Sequence, residues 1–266
     1  MFSVFKGVGV YPIVINGDKE KSYSLSRYTV NSEDEFNKRQ FLPYEEIDTL
    51  KTIKDFGIKI MSGATGFEAQ KIKPNVNEIQ NGIKFTVSGN IDRYSYNNTN
   101  VRYMKTKFKE CYIFRNENIA NSKWNFWNNP KIIVAGMTKV IEATYVTEPL
   151  GLGVGCYGIY DFANYNPKAI LGVLNSKYLS YFLNKNFKDK HLAGGYLAIN
   201  KSTIEALPFV EIDENIQTEI SNAVDKIYSL KQDGKDSSEQ ENKIDELVYK
   251  LYNISKDVQI IIETVK

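Results

Sequence analysis

At 266 residues, 42% hydrophobic and 25% charged, the chain is long enough to bury a substantial core as one large domain or two modest ones. No apolar run is long enough to span a bilayer and no signal-peptide core follows Met1-Phe2-Ser3, so a cytoplasmic location is expected. Two cysteines, Cys111 and Cys156, make neither a disulfide framework nor a zinc site. The net charge of +2 hides an asymmetry. Residues 91–139 carry nine basic and three acidic groups, whereas residues 211–266 carry thirteen acidic and seven basic ones. Such a distribution predicts a polyanion-facing surface in the middle of the chain only.

In chain order, Val10 to Ile15 is a short apolar run ending at the turn Asn16-Gly17-Asp18, and Tyr23 to Val30 alternates after it, which predicts a hairpin. Ser32 to Arg39 is charged and solvated, and Pro43-Tyr44-Glu45-Glu46-Ile47 reads as a helix start. Ser62-Gly63-Ala64-Thr65-Gly66 is a glycine-flanked turn that could cradle a phosphate, although it lacks the lysine and spacing of a nucleotide loop. Strands are expected at 83–87, 111–115, 131–135 and 140–147, with a polar loop at 97–100. Between 115 and 131 a loop rich in asparagine and aromatic residues is predicted, holding Trp124, Phe126 and Trp127. Residues 150–160 are glycine-rich and β-like.

Asn166-Pro167 then opens a helix whose apolar stripe runs through Ile170, Leu171, Leu174, Tyr178, Tyr181 and Phe182 and is expected to bury itself against a sheet. That helix leads into Lys185, Lys188, Lys190 and His191 and stops at Gly194-Gly195. Residues 196–199 read as a strand, and Leu207-Pro208-Phe209 closes the compact part. Ile216, Ile220, Val224, Ile227 and Leu230 mark one helix face, and Ile244, Leu247, Val248 and Leu251 another. With Asp233-Gly234-Lys235-Asp236 between them they predict an antiparallel helical hairpin, followed by a short helix at 258–265. The fold class expected is α+β: a mixed β-sheet with packed helices and a C-terminal helical hairpin. Three segments are expected, 1–60 as an N-terminal hairpin and connector, 61–210 as the main domain and 211–266 as the helical hairpin.

Catalytic parts are missing from the sequence. His191 is the single histidine and has no acidic partner at a motif spacing. None of the seven prolines precedes an aspartate, as common metal-dependent nucleases require, and no Gly-x-Ser-x-Gly elbow exists. Asn128-Asn129-Pro130-Lys131 is not the Asn-Pro-Pro-aromatic grip of amino-methyltransferases, and Gly151-Leu152-Gly153-Val154-Gly155 is a glycine-rich strand and turn. No catalytic residue, metal site or cofactor site is assigned to this chain. Nucleic-acid contact is better supported, because 91–139 interleaves arginine and lysine, which grip phosphate and guanine, with asparagine, which bridges adenine. Alternatives are a solvated sheet edge, a glycan- or protein-binding module, and a free-standing nuclease or methyltransferase subunit.

Several strings, in order along the chain, carry a resemblance. They are Phe5-Lys6-Gly7-Val8-Gly9-Val10-Tyr11, Ser62 to Phe67, Asp92-Arg93-Tyr94, Pro130 to Val134, Leu171 to Lys177, Leu207-Pro208-Phe209 and Ile244 to Tyr252. Together they are similar to the TaqI-like C-terminal specificity (target recognition) domain of adenine-specific DNA methyltransferases in type II restriction-modification systems. The resemblance implies reading of a short duplex sequence while a methyltransferase domain flips and methylates adenine. It implies that 1–60 is the exit from a methyltransferase domain and 61–210 the recognition domain. It also implies that S-adenosylmethionine and magnesium serve a methyltransferase or endonuclease part, upstream or as a separate subunit. Candidate DNA-binding residues are Arg93, Arg102, Lys105, Lys107 and Arg115 on one wall and Lys185, Lys188, Lys190 and Lys201 on the other, with Thr65 and Lys139 in addition. Trp124, Asn125 and Asn128 are the candidate readout loop.

Overall fold

A computed structural model describes residues 51–187 and 190–264, together with the backbone of Tyr28–Thr29 and Leu42–Pro43. The chain divides into two compact units, Met1–Thr49 and Leu50–Lys266. In the first, Tyr28–Thr29 (β1) pairs antiparallel with Leu42–Pro43 (β2), so Pro43 is a strand residue. The rest of the expected N-terminal hairpin, the charged segment 32–39 and the helix start beyond Pro43 lie outside the described residues.

The second unit is α+β, with two four-stranded sheets and a helical layer. One sheet is mixed. Leu150–Leu152 (β14) runs parallel to Ile83–Thr86 (β5), and β5 and Val76–Asn77 (β4) flank Tyr112–Ile113 (β10) antiparallel. The other sheet is antiparallel in the order Ala143–Val146 (β13), Lys131–Ala135 (β11), Cys156–Asp161 (β15) and Lys59–Ser62 (β3). Phe85, Ile113, Leu150 and Leu152 of the first sheet and Ile133, Ala135, Val146 and Cys156 of the second share one core with Phe126 and Trp127. All five residues of β11 are buried, which suits a strand covered on both faces and explains the apolar run 132–135.

The second face of that sheet is covered by the Asn166 helix. Asn166 accepts a hydrogen bond from the Lys168 amide at 2.9 Å and starts Pro167–Leu174 (α3), as the sequence predicts. The predicted single helix is two, however. Asn175 and Ser176 break it, and Ser176 caps a second helix, Lys177–Asn186 (α4), by accepting from the Leu179 amide at 3.2 Å. The break has a structural reason. The fully buried Asn175 side chain accepts from the Ala143 amide at 3.0 Å and donates to the Ala143 carbonyl at 2.9 Å. Tyr228 Oη accepts from the Tyr145 amide at 2.9 Å. Side chains thus satisfy the outer backbone groups of the edge strand β13, where an open edge would otherwise invite another chain.

The helical hairpin is formed by Glu214–Gln232 (α6) and Ser238–Leu251 (α7), followed by Lys256–Thr264 (α8). Residues 169–174 of α3 are all buried, because the helix lies between the sheet and this hairpin. Gly172 marks the closest approach: a Cβ there would meet Ile220 Cγ2 at 2.3 Å and Ile244 Cγ2 at 3.4 Å. Residues 207–209 tie the unit closed, since the Ile53 amide donates to the Leu207 carbonyl at 2.9 Å and the Phe209 amide to the Lys51 carbonyl at 2.8 Å. No helix of the described residues is long and apolar enough to cross a membrane.

Candidate nucleic-acid interface

The densest group of exposed cations stands on a hairpin to which the sequence pattern assigned no strand, only a polar loop at 97–100. Thr99–Tyr103 (β8) pairs antiparallel with Thr106–Glu110 (β9). Val101, Tyr103 and Phe108 are buried on its inner side, while Arg102, Lys107 and Lys109 are exposed, as period-two alternation requires. Met104 and Lys105 form the tip with φ of 47° and 70°, the left-handed pair of a tight hairpin turn. Arg102 and Lys107 are direct cross-strand partners. Among the described residues neither they nor Lys105 makes a side-chain hydrogen bond or ion pair. The carboxylates at the base of the hairpin are engaged elsewhere. Glu110 accepts from Tyr112 Oη at 2.8 Å and Gln80 Nε2 at 3.0 Å, bonds that hold its pKa below the usual range, and Glu78 accepts from the Lys109 amide. Like charges directly across a ladder repel, so an unneutralised Arg-Lys pair costs stability unless an anion lies over it.

The other candidate cations are spread over several environments. Lys139 Nζ lies 5.6 Å from the centre of the Tyr196 ring, Lys185 Nζ 5.5 Å from that of Tyr181, and Asn184 Nδ2 donates to the Lys139 carbonyl at 3.4 Å. His191 Nε2 is 3.0 Å from the Asn184 carbonyl, so Lys139, Lys185 and the segment holding Lys190 and His191 meet at one place. Lys188 lies outside the described residues. Lys201 is 3.5 Å from Glu205 one helical turn on. Arg93 pairs with Glu241 of α7 at 3.0 Å and lies against the Tyr94 ring, so it is tied toward the helical hairpin rather than grouped with Arg102. Arg115 donates to Asn121 Oδ1 and lies 5.7 Å from the Trp124 ring.

The predicted readout loop is a helix, Asn121–Asn128 (α2). Trp127 and Phe126 point into the core, Trp124 packs edge-on against Trp127, and Asn125 is exposed. Asn128 donates back to the Trp124 carbonyl at 2.8 Å. Two lysines counted among the basic middle hold this helix in place. Lys131, fully buried, donates to the carbonyls of Trp127 at 2.8 Å and Asn129 at 2.9 Å, meeting the orphan carbonyls of the helix end. Burial pushes its ammonium down to about 8. Lys123 donates to the carbonyls of Ser62 and Gly63 at 2.8 and 2.7 Å and pairs with Glu68 at 3.2 Å.

The glycine turn around Thr65 is held by structural hydrogen bonds. The Gly63 and Ala64 amides donate to the carbonyls of Cys156 and Leu152 at 2.7 and 2.8 Å. Thr65 itself caps the short helix Gly66–Ile72 (α1), its amide donating to Glu68 at 3.3 Å. Gly151 and Gly153 serve packing: a Cβ at either would strike Ile113, Phe85 or Val87 within 3 Å, which leaves no cradle for a cofactor there. Among the described residues no group of three or more His, Cys, Asp or Glu could hold a metal ion. Both cysteines are free and buried, and burial pushes the Cys111 thiol up to about 12.

No curated protein matches the chain. Among the solved structures similar to the chain in part are three from restriction-modification systems. One, titled a structural basis for complex assembly and conformational transition of the type I R-M system, has a TM-score of 0.44 at 13% identity, covering 76% of this chain and 44% of that one. The HsdS subunit from Thermoanaerobacter tengcongensis gives 0.41 at 13%, covering 74% and 43%. The Type IIL restriction-modification enzyme MmeI, in complex with DNA, gives 0.41 at 8%, covering 77% and 32%. The chain thus spans less than half the length of each. The family model for the TaqI-like C-terminal specificity domain matches residues 86–209, from the end of β5 through the cationic hairpin to Phe209, and that segment is similar to this family.

Proposed function

We propose that this chain reads a short double-stranded DNA sequence as the specificity part of a restriction-modification enzyme. The observation that carries the reading is the hairpin 99–110. Its cross-strand Arg102-Lys107 pair and its tip Lys105 are held in the open without a neutralising carboxylate, inside the segment matched by the specificity domain. On this reading 61–210 is the recognition domain, 1–60 the exit from a methyltransferase domain and 211–266 a helical hairpin. The enzyme is of type II and works in the cytoplasm. Adenine methylation and cleavage, with S-adenosylmethionine and magnesium, belong to an upstream part or a separate subunit.

The test is retardation of random-sequence duplexes by the purified chain across a salt series. Contacts to six or more phosphates make affinity fall by about three to five decades between low and moderate salt. Binding that ignores salt, or no retardation at all, contradicts the proposal and leaves a glycan- or protein-binding module. Methyl transfer to plasmid, or its cleavage, by this chain alone with magnesium and S-adenosylmethionine would favour a free-standing enzyme instead.

A further inference from the structure

Beside the second cation group lies an apolar surface that the fold does not use. Met137–Thr138 (β12) pairs antiparallel with Leu197–Ala198 (β16), and His191 forms a bridge with Leu197. Around this edge Met137 is 58% exposed, Leu192 and Tyr196 42% each, and Val140 39%. The Leu192 amide donates to the Tyr196 carbonyl at 2.7 Å, closing the intervening Ala193-Gly194-Gly195 into a tip. Both glycines are left-handed, with φ of 76° and 78°, a conformation that side chains resist. The tip is therefore bare, and Leu192 and Tyr196 flank it. Lys139 lies over the Tyr196 ring, and α4 brings Lys185 to the same end of the molecule.

Resting on the reading as a DNA-recognition chain, we infer that this patch contacts the C5-methyl groups of thymines in the major groove. Its cations set the occupant, because a surface flanked by Lys139 and Lys185 favours a phosphate-bearing partner. Its apolar side chains set what they touch. Almost everything an unmodified base pair presents in the grooves is a hydrogen-bond donor or acceptor, which Leu192, Met137 and Val140 cannot satisfy. The exception is the thymine methyl. The bare tip lets the backbone approach the base edges, and the two flanking side chains then meet the methyl groups.

Duplexes selected from a random pool by the purified chain are resynthesised with uracil in place of thymine, which removes the methyl and leaves every hydrogen-bonding group. The wild-type chain should bind the uracil version about fourfold more weakly for each methyl it buries. The double substitution Leu192→Ser with Tyr196→Ser should bind both versions alike and keep the wild-type salt slope. If that double variant melts below the wild type, Met137→Ser and Val140→Ser carry the same comparison. A selected site without thymine, equal wild-type affinity for both versions, or a thymine preference that survives the substitutions would overturn the inference while leaving DNA binding intact. A failure to retard any duplex would overturn the DNA reading with it.

Discussion

Two regions of this chain use the same residue types to opposite ends. In the frame around β11, β13 and the helices, cations and amides find partners. Lys131 meets two carbonyls, Lys123 two carbonyls and Glu68, and Lys177 reaches Glu263 at 2.8 Å and Asp245 at 3.5 Å. On the hairpin 99–110 Arg102, Lys105 and Lys107 face solvent, with like charges directly opposed. The difference teaches that a count of basic residues does not locate a polyanion surface. The hairpin differs from the frame in gathering three such cations on one exposed ladder and its tip.

The frame half of the comparison breaks most sharply at Asn175. Asn175→Ala strands the Ala143 amide at a buried edge, while the Ala143 carbonyl keeps the Tyr94 amide at 2.8 Å, and should cost about 2–3 kcal/mol in denaturant unfolding, without altering the salt dependence of DNA binding. Gly172→Val pushes a branched side chain into Ile220 and should cost roughly 2 kcal/mol by the same measurement. Lys131 gives a pH test. Its folded pKa is near 8 against an ordinary 10.5, so between those values the unfolded chain binds the extra proton and stability rises with pH. Relative to Lys131→Met, the wild type should therefore gain about 1–2 kcal/mol between roughly pH 7 and pH 9.5. The smallest effect is expected on the hairpin itself. Lys107→Glu replaces a repulsive cross-strand pair with an attractive one and should raise the melting midpoint by about 1–2 °C while weakening duplex binding.

The frame was largely legible because its signals are local. The apolar run of 131–135, the Asn166-Pro167 cap and the periodicity of 216–251 each specify an element without reference to the rest of the fold. The break at Asn175-Ser176 was not legible, since its reason is the edge of a strand more than thirty residues away. The stretch 121–128 reads as loop because asparagine disfavours helix, yet buried Trp127 and Phe126 and the carbonyl contacts of Lys131 hold it helical. The hairpin 99–110 lacks a glycine or asparagine at its Met104-Lys105 tip, so the strongest turn signal was absent, although Val101, Tyr103 and Phe108 alternate as strands should. For the candidate site, sequence named Arg102, Lys105 and Lys107 correctly as basic. Only the fold separates them from Lys123 and Lys131, because partners are a tertiary property.

The most direct measurement is the salt dependence of duplex affinity for the wild type beside a chain carrying Arg102→Gln, Lys105→Gln and Lys107→Gln together. If these three cations lie on phosphates, the slope of log affinity against log salt should fall by about 3 with the melting curve intact. An unchanged slope in a folded triple variant would contradict the assignment of this hairpin to DNA.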